Sequence, residues 1–185
     1  MSNEYKDWER DKIEDEKRIV EKYPFLGARN NSGEIDKNAK FPMMALEIPD
    51  GWYSLFFQMC DDLMPVLKKE HLLSDFYFIQ VKEKYNNLVC YPSISSPKID
   101  KILLKYHEMA RVVCAKCGKP AVWETKGYIL SLCDACLGCS HRHEAKERLI
   151  FQTQFGVSTY KGGKSRTKTI SFQKEWDEYL RRCFL

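Results

Sequence analysis

The stretch CAKCGKPAVWETKGYILSLCDAC, which runs from Cys114 to Cys136, contains two Cys-x-x-Cys pairs separated by fifteen residues. Zinc prefers four tetrahedral nitrogen or sulfur ligands, and one Cys-x-x-Cys turn supplies two of them on a short loop. Gly118 follows the first pair and lets backbone N–H groups turn toward the sulfurs. The spacing therefore predicts a structural Zn2+ site with the ligands Cys114, Cys117, Cys133 and Cys136.

The residues between and after the two pairs predict how this site is built. PAVWE and YILSL flank a TKG turn and favour a β-hairpin, and the second pair stands at the start of an apparent helix through HEAKERL, residues 143–149. A knuckle, a hairpin and ligands in a first helical turn follow one another in a treble-clef zinc finger. We therefore predict a treble-clef-like zinc module over residues 113–145.

Three further potential ligands follow the second pair, namely Cys139, His141 and His143. One of them can replace Cys133 or Cys136, or form part of a second site. Two histidines two positions apart do not share one face of a helical turn, which disfavours joint ligation. A redox role is also disfavoured, because thioredoxin-type chemistry uses one cysteine pair within a βαβ pattern and this chain shows two pairs without it.

Two enzymatic patterns are incomplete in this sequence. LCDACLGCSH is similar to the end of HNH nucleases, but GKPAVWETKGYILSL lacks the histidine base that such a nuclease needs between the pairs. GGKS matches the end of a phosphate-binding loop, but Ser158 stands where that motif has its first glycine. We therefore predict no enzymatic activity, with an enzyme that uses an unrecognised site as an alternative.

The remaining sequence predicts helices on both sides of a hairpin. Apolar spacing favours a charged helix over Glu4–Tyr23, a helix after PDGW that Pro65 kinks or ends, and a helix that begins at Ser96 and Pro97. DFYFIQVKEKYNNLVCYPS favours a hairpin with Asn86-Asn87 as its turn. The fold class is thus α+β, a helix–β-hairpin–helix body with the zinc module and helical termini. The predicted domains are a helical arm and polar linker (1–40), this body (41–112), the zinc module (113–145) and a basic strand, loop and terminal helix (146–185).

Charge and composition restrict the partners. The 185-residue chain carries 30 basic and 26 acidic side chains, but Ser140–Leu185 holds ten basic against five acidic ones. A basic loop in that part is either solvated or contacts nucleic acid or an acidic protein face; its residues are Lys161, Lys164, Arg166 and Lys168. The sequence has no apolar stretch that spans a bilayer and no secretory signal, so we expect a cytoplasmic protein without a membrane partner. Thiols stay reduced there, which favours metal over disulfides.

Three segments resemble a poorly characterised family of small zinc-finger proteins encoded by bacteriophages and prophages. They are DGWYSLFFQMCDDL, IQVKEKYNNLVCY and CAKCGKP…GYILSLCDAC, and together they cover about half of the chain, from Pro49 to Cys139. Members show a Gly-Trp helix start, a VKEK[FY]GGL hairpin and LCDx[HC]. This chain departs from the pattern with Asn86-Asn87 for Gly-Gly and with Cys136 where histidine is common. The resemblance implies the same four zinc ligands.

The resemblance also implies action inside a bacterial host cell, but it implies no particular activity. We expect a non-enzymatic, zinc-stabilised protein that binds a host protein and inhibits or redirects it, for example a component of bacterial defence. A nucleic-acid-binding regulator that uses the basic C-terminal region is the alternative. The sequence leaves the oligomeric state open.

Overall fold

The computed structural model describes residues 3–125, 128–138, 145–147, 150–153 and 156–159 of the chain. Helices and short antiparallel strands are mixed along it, which confirms the predicted α+β class. Strand β1 pairs with β2, β3 pairs with β4 and β5, and β6 pairs with β7. The elements are α1 (Asn3–Lys22), α2 (Tyr53–Lys69), β1 (Phe78–Lys84), β2 (Asn87–Pro92), α3 (Pro97–Ala110), β3 (Trp123–Thr125), β4 (Ser131–Leu132), α4 (Asp134–Gly138), β5 (Ala145–Glu147), β6 (Ile150–Thr153) and β7 (Gly156–Thr159).

The chain folds into two compact units, each assembled from several stretches of sequence. The first unit contains the described residues up to Glu47, together with Met59–Lys82 and Val89–Ile102. The second unit contains Ile48–Gln58, Glu83–Leu88 and the described residues from Leu103 onward. The domain boundaries that composition suggests stay predictions.

An aromatic core lies in the first unit. Phe25, Phe76 and Phe78 are buried, and their rings meet edge to face with centroids 5.2–5.9 Å apart. Aromatic pairs of this geometry contribute about 0.5–1.5 kcal/mol beyond the burial of their area. The first unit therefore has an apolar core of its own.

The polar segment from Gly27 to Lys40, expected to be a linker, is hydrogen-bonded within the first unit. The Oδ1 atom of Asn30 accepts hydrogen bonds from the backbone N–H groups of Ser32 and Glu34, each at 3.0 Å. This is the turn that an asparagine side chain stabilises by bonding to the backbone that follows it. Gly27 forms an isolated antiparallel bridge with Met43, which brings the start of the segment beside the residues that follow its end.

Helix α2 continues through Pro65 to Lys69, so the helix does not end at the proline. Pro65 has no N–H group to donate to the carbonyl of Asp61. Both residues lie on the exposed side of the helix, where solvent can hydrate that carbonyl. The missing hydrogen bond is therefore tolerated.

The β1–β2 hairpin forms, but its turn lies one residue earlier than predicted. Strand β1 ends at Lys84 and β2 begins at Asn87, so Tyr85 and Asn86 are the two central residues. Their φ angles are 52° and 62°, as a type I′ turn requires at both positions. Asn86 takes the second position because its side chain is bonded elsewhere in the second unit, as described below. Burial does not alternate strictly along β1, since Phe78 and Val81 are both buried.

The second unit contains the cysteine module, the name used here for residues 113–125 and 128–138. Strands β3 and β4 pair antiparallel with Trp123 opposite Leu132, which confirms the predicted hairpin. The predicted helix through HEAKERL is wrong at residues 145–147, which form strand β5 on the other edge of β3. A strand there satisfies backbone groups that β3 would otherwise leave unpaired. Helix α4 is correspondingly short, with five residues.

The C-terminal helix predicted from SFQKEWDEYLRRCFL lies outside the described residues. One strand was predicted before it, whereas the structure has two, β6 and β7, which pair as a hairpin with Ile150 opposite Thr159. Among the helices that the structure describes, none has both the length and the apolar composition that a membrane span requires.

Candidate metal centre

The four predicted cysteines lie together in the cysteine module. One ligand atom from each of Cys114, Cys117, Cys133 and Cys136 falls within 4.8 Å of the other three. The first pair lies on the loop after α3, and the second spans the end of β4 and the first turn of α4. The prediction that these cysteines can hold one metal ion is confirmed.

The first pair lies on a knuckle that the backbone closes by itself. The N–H of Cys114 donates to the carbonyl of Lys119 at 2.7 Å, and the N–H of Gly118 donates to the carbonyl of Cys114 at 2.9 Å. Gly118 has a φ of 76°, a conformation that L-residues with a side chain rarely adopt. The glycine is thus required by the backbone of the knuckle, as the sequence indicates.

The second pair is anchored by the small helix and by the strand beside it. The N–H of Leu137 donates to the carbonyl of Cys133 at 2.9 Å, which starts the helical turn that also carries Cys136. The indole Nε1 of Trp123 donates to the carboxylate of Asp134 at 2.6 Å. A small apolar cluster supports both pairs; it consists of Cys114, Ala121, Leu132 and Cys133, with Trp123, Cys136 and Leu137 packed against it.

The pKa values of Cys114, Cys117 and Cys136 are shifted in different directions. Burial raises the pKa of Cys114, but the backbone N–H groups of Cys133, Cys117 and Lys116 outweigh burial and hold its pKa below the ordinary value. The pKa of Cys117 and the pKa of Cys136 are raised, first by burial and also by hydrogen bonds among the crowded thiols. A cation among the four sulfurs favours their thiolate forms, so metal binding releases protons and strengthens as the pH rises.

The donor set fits zinc. Tetrahedral coordination with Zn–S bonds of about 2.3 Å separates the sulfurs by about 3.8 Å. The Sγ atoms of Cys117 and Cys133 are 3.6 Å apart. Cys114 and Cys133 are buried, Cys136 is half-buried and Cys117 is exposed, so one edge of the cluster reaches the surface. Four thiolates at these separations can fill a tetrahedral shell.

The turn before α2 is built directly against the knuckle. The N–H of Gly51 donates to the carbonyl of Ala115 at 2.9 Å, and the buried indole of Trp52 donates to the carbonyl of Val113 at 3.2 Å. A Cβ atom on Gly51 would overlap the carbonyl oxygen of Cys114 and lie 2.6 Å from the nitrogen of Gly118. Gly51 is therefore the residue that allows this backbone to approach the metal ligands.

The turn of the β1–β2 hairpin also contacts the cysteine module. The buried Asn86 donates from Nδ2 to the hydroxyl of Ser131 at 2.7 Å and accepts a hydrogen bond from the N–H of Ser131 at 2.9 Å. The Ser131 hydroxyl donates in turn to the carbonyl of Arg111 at 2.6 Å. The side chain of Asn86 thus fixes strand β4, which leads into Cys133.

Sequence reasoning missed these supporting residues. It placed Gly51 and Trp52 in the PDGW stretch before a helix, and it assigned Asn86 to a turn. The Gly-Trp pair and the Asn-Asn pair stand out in the sequence, but no local pattern links them to the cysteine pairs. Spacing rules do not link residues that are more than sixty positions apart, as Gly51 and Cys114 are.

The other predicted site residues lie outside the described part of the chain. These are Cys139, His141 and His143, the alternative ligands, and Lys161, Lys164, Arg166 and Lys168, the basic loop.

Two of the chain's histidines belong to the described residues, and neither is part of the cluster of four cysteines. His71 is exposed at the end of α2, and the Nδ1 atom of His107 is 3.1 Å from the carbonyl oxygen of Leu88. A groove of about 460 Å³ lies in the first unit, lined by residues 27–29, 43–45, 47 and 78–80. Neither histidine lines this groove.

No protein-family model, no curated protein and no solved structure matches this chain.

Proposed function

We propose that this chain is a zinc-stabilised binding protein without enzymatic activity. The observation that carries the proposal is the cluster of four thiols, because four thiolates fill a tetrahedral shell and leave no position for water or a substrate. Zinc is the metal that we assign, since it favours closed sites with thiolate ligands and has no redox chemistry. When bound, it supplies a link between the knuckle and α4.

We further infer that the cysteine module is a treble clef. The order of a knuckle, the β3–β4 hairpin and a helix that carries Cys136 in its first turn, with Cys133 directly before it, supports this assignment. Strand β5 is then an addition to the edge of the hairpin, in the place where the sequence favours a longer helix.

The partner that we propose is a protein, which the chain would inhibit or redirect. Tyr85 and Tyr128 are among the exposed tyrosines of the second unit, and tyrosine is enriched at the centres of protein interfaces. The resemblance to phage-encoded proteins supports a host protein in the bacterial cytoplasm as the target, a component of defence among them.

The metal assignment is tested with the purified protein by elemental analysis and by exchange of the metal. We expect one zinc per chain, lost when Cys133 is replaced by serine. Cadmium suits thiolates but is a different Lewis acid, so a structural site predicts that the cadmium form folds and binds its partner normally. A cadmium form that folds normally and loses binding would show that the metal has a chemical role.

The partner assignment is tested by affinity capture from bacterial lysate, with and without nuclease treatment. We expect the captured protein to be the same in both arms, because a direct protein contact does not depend on nucleic acid. Capture that disappears after nuclease treatment would contradict a protein partner.

A nucleic-acid-binding regulator is the second candidate, and the excess of basic residues in Ser140–Leu185 favours it. Each phosphate contact releases counterions, so binding through the basic loop must weaken as salt rises. Alanine at Lys161, Lys164, Arg166 and Lys168 should then weaken binding and flatten its dependence on salt. A wild-type protein without affinity for DNA or RNA at low salt would exclude this candidate.

A further inference from the structure

The groove of the first unit lies along an edge of strand β1 that is only partly paired. Strand β2 occupies one edge of β1. At the other edge Glu47 forms a parallel bridge with Lys82, and the N–H of Glu47 donates to the carbonyl of Val81 at 3.0 Å. At residues 78–80, which line the groove, no strand in the described part of the chain pairs with this second edge. An unpaired strand edge presents N–H and C=O groups to which another extended segment can bond.

The groove offers apolar side chains beside this open edge. Met43 and Met44 line it and are half-buried, and Ile79 is 67% exposed next to the buried Phe78. Natural proteins protect open strand edges with charged side chains or proline, and residues 78–80 include neither. Methionine side chains adapt to groups of different shape. The groove therefore suits an occupant that brings apolar side chains together with a backbone.

Opposite charges lie at the two ends of the groove. At the end where β1 begins, the guanidinium of Arg29 is 4.2 Å from the centre of the Tyr77 ring, and its Nη1 donates to the carbonyl of Gly33 at 2.7 Å. At the other end, the carboxylate of Glu47 accepts hydrogen bonds from Nε2 of Gln80 at 3.0 and 3.3 Å. Tyr77 and Gln80 are three residues apart, which corresponds to about 10 Å of extended chain.

These two charges are not neutralised by ion pairs with other described residues. The ammonium of Lys82 lies 5.4 Å from the centre of the Tyr91 ring and forms no ion pair with Glu47. Across from Arg29, neither Glu34 nor Asp36 forms an ion pair with its guanidinium. The lining carries one cation and one anion, so its complement is a segment with both signs of charge, one at each end.

We infer that the groove binds an extended segment of a partner protein, which adds to the open edge of β1 and packs apolar side chains on Ile79 and the two methionines. An acidic side chain of the segment lies at Arg29, and a basic one lies at Glu47. This inference rests on the proposed function, that the chain binds a protein, and it specifies the form of the bound segment. Main-chain hydrogen bonds supply affinity in such strand addition, and side-chain contacts supply specificity. The two charges fix the direction in which the segment runs.

The test uses the full metal-loaded chain and a yeast-displayed library of random twelve-residue peptides. We expect enriched peptides in which apolar residues lie between an acidic and a basic one, with affinities measured by fluorescence anisotropy. Arg29→Glu and Glu47→Lys should each weaken binding about tenfold or more, because like charges then meet in the interface. A peptide whose acidic residue is changed to lysine should regain most of the lost affinity for Arg29→Glu. Lys101→Glu is the matched control, since Lys101 is an exposed cation of the first unit that does not line the groove.

Strand addition also has a signature in the peptide. Only alternate residues of an added strand direct their N–H groups toward the host strand. Methylation of single backbone nitrogens should therefore weaken binding about tenfold at alternate positions and change it little at the positions between them. Losses that do not alternate along the peptide would contradict addition to β1 and overturn the inference.

The outcomes separate this inference from the proposed function. Enriched peptides that bind Arg29→Glu and Glu47→Lys as tightly as the wild type would overturn the groove as the site and leave the proposed function standing. A library without enriched peptides would also overturn the inference. The proposed function would fall with it only if the lysate capture yields no protein.

Discussion

The aromatic core of the first unit and the cysteine module of the second are stabilised in different ways. In the first unit Phe25, Phe76 and Phe78 are buried against one another, and their contacts are apolar. In the cysteine module the apolar cluster is small, and backbone hydrogen bonds and four crowded thiols lie beside it. A short module with a small core generally needs an additional link, and a metal ion is one of the usual links.

This difference predicts that the two regions respond to different changes. Loss of metal should affect the cysteine module first, whereas loss of apolar volume should affect the aromatic core first. Residues that join the knuckle to other parts of the second unit, such as Gly51, should respond as the module does.

Metal removal should have the largest effect, because structural zinc contributes on the order of 10 kcal/mol in small modules. Treatment with a strong chelator should remove hydrogen-exchange protection from residues 113–138 and leave most protection around Phe76 in place. Cys133→Ser should have the same effect without a chelator. Cys90→Ala is the control. Cys90 belongs to the first unit, so this variant should retain the full metal content. Equal loss of protection in both units would contradict this comparison.

Phe76→Ala should reverse the pattern. Truncation of a fully buried phenylalanine costs about 3–5 kcal/mol through lost transfer energy and the cavity that remains. Urea unfolding should show this loss in the first unit, whereas zinc affinity measured by competition with a chromophoric chelator should stay within about twofold of the wild type, since Phe76 belongs to the first unit and the metal ligands to the second. A tenfold loss of zinc affinity would show that the aromatic core supports the metal site.

Gly51→Ala should act on the metal site although Gly51 is no ligand. The added methyl group overlaps the carbonyl oxygen of Cys114, so we expect a loss of about 3 kcal/mol, in the upper part of the usual range for single substitutions, together with weaker zinc binding. Gly33→Ala is the matched glycine control in the first unit. Its φ of 79° also makes alanine unfavourable, but its nearest neighbour is the Tyr77 hydroxyl, and zinc affinity should not change. If Gly51→Ala binds zinc as tightly as the wild type, the turn before α2 does not support the metal site.

Alkaline pH should have the smallest effect, and it should fall on the first unit. Burial raises the pKa of Cys90 to about 12, and burial followed by the neighbouring Cys90 raises the pKa of Cys60 well above its ordinary value of 9.0. The folded state therefore holds these protons more tightly than the unfolded state. Stability is complete below pH 9 and falls as the pH rises toward the folded pKa, by about 1 kcal/mol per thiol at pH 9.5. Urea unfolding at pH 7.5 and 9.5 measures the loss, and Cys90→Ala should reduce it. If Cys90→Ala loses as much free energy of unfolding between pH 7.5 and 9.5 as the wild type, groups other than Cys90 cause the loss.

Local patterns predicted the parts of the fold in which neighbours in sequence determine the structure. The cysteine spacing identified the cluster, Gly118 identified the knuckle, and the apolar periods identified α1, α2 and α3. Local patterns failed where a distant backbone decided the outcome. Residues 145–147 form β5 because the free edge of β3 is available, and Asn86 takes the second turn position because Ser131 bonds to its amide.

The sequence by itself determined which side chains can hold a metal ion, because each Cys-x-x-Cys pair places two thiol donors on one short loop. Only the tertiary structure decided what surrounds that site. It brings Gly51 and Trp52 against the knuckle and the tip of the hairpin against β4, across separations of more than forty residues. The physical reason is that a ligand set depends on local donor geometry, whereas close backbone packing and buried hydrogen bonds depend on which distant segments meet in the folded chain.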